Sequence, residues 1–246
     1  MKTTQNTILI TGGSAGIGFE IAKVFAENGN HVIITGRNEQ RLQEATAKLK
    51  NVTAIVSDVS KESDIKSLAE RLRKDFPQLN VIINNAGRAF AYKLDASTNA
   101  AAKAAEEIQT NYISVISLTE QLLPLLETQK EAAIVNVTSI VAFAPGQSAP
   151  TYSASKAALH SYTRTLRYTL ANSGIKVFEL MPPLVNTDFS QEIGGSKGIA
   201  PAIVAADLLK AFEHDTYEVH VGATADIYKL YLHSPEQALQ TLNATR

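Results

Sequence analysis

The sequence predicts an α/β protein: an open, doubly wound parallel sheet of about seven strands with helices on both faces. Three observations lead there. Short β-branched runs alternate with longer helical stretches, the pattern of βαβ units joined by right-handed crossovers. Several runs are apolar almost throughout, such as Val81-Ile82-Ile83 and Ile134-Val135-Asn136-Val137, as strands covered on both faces require. A glycine-rich turn joins the first run to the first helix.

The first strand is expected at Thr7–Thr11 and the first helix at 16–28, where Ile17, Ile21, Val24 and Phe25 form one stripe. The turn between them, Thr11-Gly12-Gly13-Ser14-Ala15-Gly16-Ile17-Gly18, suits an anion. Glycines let the backbone come close, and the N–H groups at the helix start point outward. Gly13 and Gly18 have the spacing of a P-loop, but Phe19-Glu20 stand where its lysine and hydroxyl belong. Gly12 to Gly16 also matches Gly-x-Ser-x-Gly, which raises a serine hydrolase with Ser14 as nucleophile. Only one strand precedes that turn, so no earlier loop supplies the second oxyanion donor. The third reading is a dinucleotide turn with glycines at 12, 16 and 18.

The second strand, 31–35, ends in Gly36-Arg37-Asn38. An enzyme selecting NAD usually places an acid at this strand end, to hold the ribose hydroxyls. Here Gly36 fills that place, and the planar fork of Arg37 suits a phosphate. Ser14 could add a hydrogen bond, while Ala15 supplies no second basic group. The expectation is NADP(H) favoured over NAD(H).

A third strand at 53–56 leads to a helix capped by Ser60, with Ile65, Leu68, Ala69 and Leu72 at helical spacing. A fourth, 80–84, ends in Asn85-Ala86-Gly87. A long helix at 110–128 carries Asn111, a poor helix former. The fifth strand, Ala132–Val137, brings Ser139 to its carboxyl end, the edge where open α/β sheets bind ligands. The next helix, 152–173, opens with Tyr152-Ser153-Ala154-Ser155-Lys156. Residues at i and i+4 share a helix face. An ammonium beside a phenol favours the phenolate and lowers its pKa from about 10, toward general acid–base work. Sixth and seventh strands are expected at 176–181 and 218–221. Gly194, Gly195 and Gly198 lie in the stretch 191–200, which is too short to divide the chain. One domain, 1–246, is expected, with a mobile substrate-loop segment near 189–200.

Composition narrows the function. The chain has 246 residues, 45% apolar and 19% charged, and 23 basic against 24 acidic residues leave a net charge of -1. That balance speaks against a nucleic-acid or anionic-membrane surface. With no cysteine, disulfides, thiolate metal sites and thiol catalysis are excluded. No two of the five histidines are three to five residues apart, so a helical two-histidine metal site is not expected. No signal-peptide core or membrane-length apolar run is seen, and a cytoplasmic protein is expected. The glycosylation triplets at Asn51, Asn136 and Asn243 then carry no meaning.

Taken together, the turn Thr11–Gly18, Asn84–Gly87, Asn111, Ser139 and Tyr152–Lys156 resemble, in order and spacing, the short-chain dehydrogenase/reductase family. The resemblance runs from the first strand to at least Asp188. It implies a Rossmann-type fold and hydride exchange between a nicotinamide and a small-molecule carbonyl or alcohol. Tyr152 would be the acid/base. Lys156 would lower its pKa and bind the nicotinamide ribose. Ser139 would orient the carbonyl, and Asn111 would hold a relay water. Asp58 and Val59 would contact the adenine. Asn85, Ala86 and Gly87 would lie along the cofactor, with Asn84 supporting the sheet. The family's Pro-Gly after the sixth strand is Pro182-Pro183 here; Val185 and Thr187 still fall where the nicotinamide amide is held. Phe90, Val141, Phe143, Ala144 and Phe189 flank these motifs and could wall a substrate pocket. The two long helices imply a homodimer or homotetramer. The run 234–239 resembles a DltE-type branch. The competing reading on this fold is a nonenzymatic nicotinamide-binding regulator, against which the tyrosine–lysine pair argues.

Overall fold

The computed structural model describes residues 1–244; Thr245, which completes the triplet at Asn243, lies outside them. Seven strands form one parallel sheet: β1 (Thr7–Thr11), β2 (His31–Gly36), β3 (Val52–Val56), β4 (Leu79–Asn84), β5 (Ala132–Val137), β6 (Ile175–Met181) and β7 (Glu218–His220). Their order across the sheet is β3-β2-β1-β4-β5-β6-β7. The chain winds outward from β1 to β3, returns to the centre, and winds the other way. The reversal leaves a crevice between the carboxyl ends of β1 and β4, where such sheets take ligands.

Nine helices connect and cover the strands among the described residues: α1 (Gly16–Glu27), α2 (Glu39–Thr46), α3 (Glu62–Asp75), α4 (Ala100–Ile108), α5 (Ser114–Glu127), α6 (Pro150–Thr169), α7 (Pro201–His214), α8 (Ala223–His233) and α9 (Pro235–Ala244). Strand alternation sorts the core into two layers. Ile8 and Ile10 pack with Ile21, Phe25, Leu208 and Phe212 toward α1 and α7. Leu9, between them, packs with Leu68, Leu72, Leu118 and Leu122 toward α3 and α5. Each fully buried Leu, Ile or Phe side chain contributes about 1.5–3 kcal/mol, so both layers hold the sheet against its helices. A third cluster joins Ile140, Val141, Phe143 and Met181 to Ala238 and Leu242, tying α9 to the ends of β5 and β6.

One buried polar seam runs under α6. Asn84 donates to Asn136 at 2.8 Å and Asn136 to Thr163 of α6 at 2.9 Å. Next to it, Thr138 donates to Glu179 at 2.7 Å, and His160 of α6 meets the same carboxylate oxygen at 2.8 Å.

The helices depart from expectation in three places. The helix expected from Thr110 begins ten residues earlier at Ala100, because Ala100, Ala101, Ala102, Ala104 and Ala105 are strong helix formers. It is broken at Gln109–Ile113 by a π-turn. Ser60 does not cap α3, whose cap is Lys61; its hydroxyl and amide instead bond Asp58 at 2.7 and 3.0 Å. Local bonds of this kind compete with helix capping. The second long helix starts at Pro150, in the first turn where its missing N–H costs nothing, and ends at Thr169. Among the described residues no helix is long and apolar enough to cross a membrane.

Candidate active site

The glycine turn fits against the end of β4. Gly12 and Gly16 take φ of +66° and +57°, which side-chain-bearing residues rarely adopt. A Cβ on Gly12 would lie 3.0 Å from the Ala86 Cα, and one on Gly18 would press into the Gly12 carbonyl. Thr11 Oγ1 accepts the Asn85 and Ala86 amides, each at 3.0 Å. Asn85 donates through its side chain to the Thr11 and Gly12 carbonyls at 2.9 and 3.1 Å. The Asn85 side chain thus braces the turn from behind. Ala15 precedes α1 without a side-chain cap, so the first amides of that helix remain for an outside acceptor. The turn has the shape and donors that a dinucleotide pyrophosphate needs.

Two cavities open from this turn. One is lined by Ser14, Gly36, Arg37, Asp58, Val59, Ala86 and Gly87, with Arg88 and Thr110. Burial pushes the Asp58 carboxyl up, but the two bonds from Ser60 and the nearby Arg37 more than offset it and hold it below the usual range. Arg37 is exposed at the cavity edge. An adjoining hollow past Ser14 is edged by Arg41 and Lys48, basic residues that sequence reasoning missed. Their only signal is spacing, four and eleven residues after Arg37, on α2 and just past its end.

The other cavity is lined by Gly16, Ile17, Gly87, Tyr152, Lys156, Pro182, Thr187 and Phe189. Ser139 adjoins it at the end of β5, its Oγ accepting the Val141 amide at 3.3 Å. Burial raises the Tyr152 phenol above its ordinary value, and the Ser139 hydroxyl partly counters this. The lowering expected from Lys156 is not seen. Its Nζ donates to the Val137 carbonyl at 2.8 Å and lies 5.7 Å from the Tyr152 ring centre. Burial lowers Lys156 itself to about 8.

Asn111 sits in the π-turn, a feature common at functional sites. Its amide donates to the Arg88 carbonyl and to Ser155 Oγ, both at 2.8 Å, and its oxygen accepts the Arg88 amide at 2.8 Å. Both amide hydrogens are committed. A water at Asn111 would therefore donate to a carbonyl oxygen, of the side chain or the main chain.

The five expected pocket residues divide. Val141 and Phe189 line the space beside Ser139 and Tyr152. Phe90 and Phe143 do not line either cavity. The Arg88 guanidinium covers the Phe90 ring at 4.6 Å. Phe143 is held between Tyr228 and Tyr231, at 5.1 and 5.6 Å, in the cluster that also buries Ala144.

Val185 is buried and bridges to Ile199. The segment after it forms 3-10 turns at Asp188–Ile193 and Gly195–Lys197. A Cβ on Gly195 would collide with Ser190, and one on Gly198 would lie 2.7 Å from the Leu184 carbonyl. Those two glycines serve close approach. Gly194 differs from them, with φ of +84° and open space around it. Pro183 is accommodated: the Pro182 carbonyl accepts the Ile140 amide at 3.0 Å, and Gly222 leaves room for the ring.

Sequence reasoning also missed Glu107. It is wholly buried, and its Oε1 accepts the Phe90 amide at 2.8 Å. Its Oε2 has no hydrogen-bond partner among the described residues. Burial pushes its carboxyl up, against the nearby Thr151 hydroxyl, the Phe90 amide and the Arg88 charge. Its signal is position: it lies four residues before Asn111, on the same helix face. A carboxyl raised on folding adds stability at low pH that fades as pH climbs above its unfolded value of about 4.5. Glu107→Gln, which keeps the acceptor for Phe90, should flatten that decline. Melting temperatures from pH 5 to 8 check this; equal slopes in both proteins would refute it.

The carboxyl-edge placement of Gly12–Gly18, Asn85–Gly87, Ser139 and Tyr152–Lys156 agrees with what the chain matches. The family described as short chain dehydrogenase matches residues 6–208. The chain belongs to the short chain dehydrogenase family. It is 44% identical over 199 residues to the uncharacterized oxidoreductase DltE of Bacillus subtilis, covering 81% of this chain and 79% of that one. It is 33% identical over 204 residues to sulfoacetaldehyde reductase 2 of Chromohalobacter salexigens, covering 81% of each. Among solved structures, a short chain dehydrogenase from Burkholderia cenocepacia in complex with NADP superposes with a TM-score of 0.86, at 26% identity and 98% coverage of both chains. As a short chain dehydrogenase, the chain is an oxidoreductase of a nicotinamide-using family, and its sheet and crevice are those of that fold.

Proposed function

We propose that this short chain dehydrogenase is an NADP(H)-preferring carbonyl reductase or alcohol dehydrogenase with Tyr152 as its acid/base. The observation that carries the reading is that Tyr152 borders both the cavity that runs to the glycine turn and the adjoining space where Ser139 stands. When bound, the reduced nicotinamide supplies the hydride that, with the Tyr152 proton, turns C=O into CH–OH and leaves the oxidised cofactor.

The amides opening α1 and the glycines at 12, 16 and 18 hold the pyrophosphate. Arg37 and Ser14 take the adenosine 2′-phosphate. Val185 and Thr187 border the nicotinamide. Ser139 donates its hydroxyl hydrogen to the substrate oxygen and so fixes it beside Tyr152. A buried phenol raised above 10 stays protonated at neutral pH, which suits giving a proton to a carbonyl. Lys156 anchors at Val137 and turns its remaining N–H groups toward the cavity, where a ribose hydroxyl would accept. Asn111 fixes the Arg88 backbone and Ser155, and with them the wall beside Lys156.

The test is consumption of NADPH, with NADH alongside, against aldehydes and ketones. Turnover with NADPH supports the reading. Tight NADPH binding without turnover of any carbonyl would favour the nonenzymatic regulator.

Exposed Ile113 and Tyr168, beside α5 and on α6, support assembly through those helices into a homodimer or homotetramer with closed symmetry. Light scattering should give two or four times the monomer mass; a monomer at micromolar concentration would contradict it.

A further inference from the structure

Resting on that reading, we propose that the site takes a neutral carbonyl or secondary alcohol bearing an aromatic or branched aliphatic group. It rejects anionic substrates, and Phe189 is the specificity-determining residue.

The space beyond Ser139 and Tyr152 is walled by Ile140, Val141, Leu184, Phe189 and Ile193. Among the described residues, the one cation on either cavity at Tyr152 is Lys156, which is buried and already bonded to Val137. Asp188, an exposed acid, lines the cavity on the glycine-turn side and not the space beyond Ser139. A carboxylate or sulfonate entering the space beyond Ser139 and Tyr152 would give up water for an apolar wall that carries no cation. That combination is strongly unfavourable. An apolar substituent gains by leaving water.

Phe189 shapes the choice. Its ring lies 5.9 Å from the Tyr152 ring at 60°, yet the residue is 48% exposed. One part of the ring rests on the acid/base, and the rest is left for a flat or branched partner at edge or face. The 3-10 turn that carries it is fixed by Ser190, which bonds the Thr187 and Val185 carbonyls. The ring is therefore presented from a set backbone. A sulfonate, the charged group in the name of the sulfoacetaldehyde reductase relative, would find no basic side chain on this wall.

The experiment compares matched pairs that differ only in charge: benzaldehyde with its para-carboxylate, and the methyl ester of an aliphatic oxo acid with the free acid. NADPH and NADH consumption gives kcat/KM for each at pH 7. The neutral member should be favoured by roughly 100-fold or more, the scale of an unpaired buried charge. Phe189→Arg supplies a cation at the same place. It should raise kcat/KM for the para-carboxylate and lower it for benzaldehyde, with NADPH affinity by calorimetry showing that the variant is folded. Phe189→Ala should raise KM for benzaldehyde more than it lowers kcat. Equal or better use of the anionic members overturns this inference and leaves the oxidoreductase reading standing. No turnover of either member across the pairs, with either cofactor, overturns the oxidoreductase reading itself.

Discussion

Tyr152→Phe should remove most turnover, with an expected loss of ~10²–10⁴ in kcat, while NADPH affinity stays nearly unchanged. The size follows from what the phenol alone can do. Phenylalanine keeps the ring against Phe189 and deletes only the oxygen that faces Ser139. Ser139 can still orient a carbonyl, but no other group with a proton to give reaches it. Lys156 is held at Val137, and Glu107 points to the Phe90 amide. Near-wild-type turnover in the variant would end the assignment. A fall in both turnover and NADPH affinity would mean that the residue mainly shapes the cofactor site.

The second large effect is on cofactor choice. The wild type should favour NADPH over NADH in kcat/KM by at least about tenfold, and Arg37→Ala should remove most of that margin. A charge-assisted phosphate contact is worth ~1.5–3 kcal/mol, which is about ten- to a hundredfold in affinity. Gly36 places no carboxylate against the 2′-phosphate, and Asp58, the nearest acid on that cavity, is occupied by Ser60. Arg41 and Lys48 edge the adjoining hollow, so a residual preference in the variant points to them. Equal use of both cofactors by the wild type would refute the preference. An unchanged ratio in the variant would clear Arg37.

What could be read from the sequence follows a physical line. Strand positions were legible because a strand buried on both faces must be apolar along its length, as at β4 and β5. The glycine turn was legible because positive φ and backbone approach both exclude side chains. Tyr152 and Lys156 were legible through the motifs that accompany them in the family; their spacing alone says only that they share a helix face. The rest depends on contacts between distant segments. Asn85 reads as a surface turn residue until Thr11, 74 residues away, is seen to hold it. Phe143 and Phe189 are equivalent as letters, yet one is enclosed by Tyr228 and Tyr231 and the other rests on Tyr152. Glu107 reads as one more helix glutamate until the Phe90 loop folds over it. Gly195 and Gly198 look like slack, and only the packed loop shows that neighbours require their bareness.

The polar seam under α6 separates what can be exchanged in this protein from what cannot. Its bonds tie β4, β5 and β6 to the helix that carries Tyr152 and Lys156, through side chains that are all buried or nearly so. The reacting groups are thereby keyed to the sheet and not to the loops above it. The walls that select a substrate belong to 140–149 and 183–199, outside the seam. With Val185 and Thr187 kept for the nicotinamide, those stretches are interchangeable parts: segments from other members could be grafted there to redirect scope without retuning the chemistry beneath.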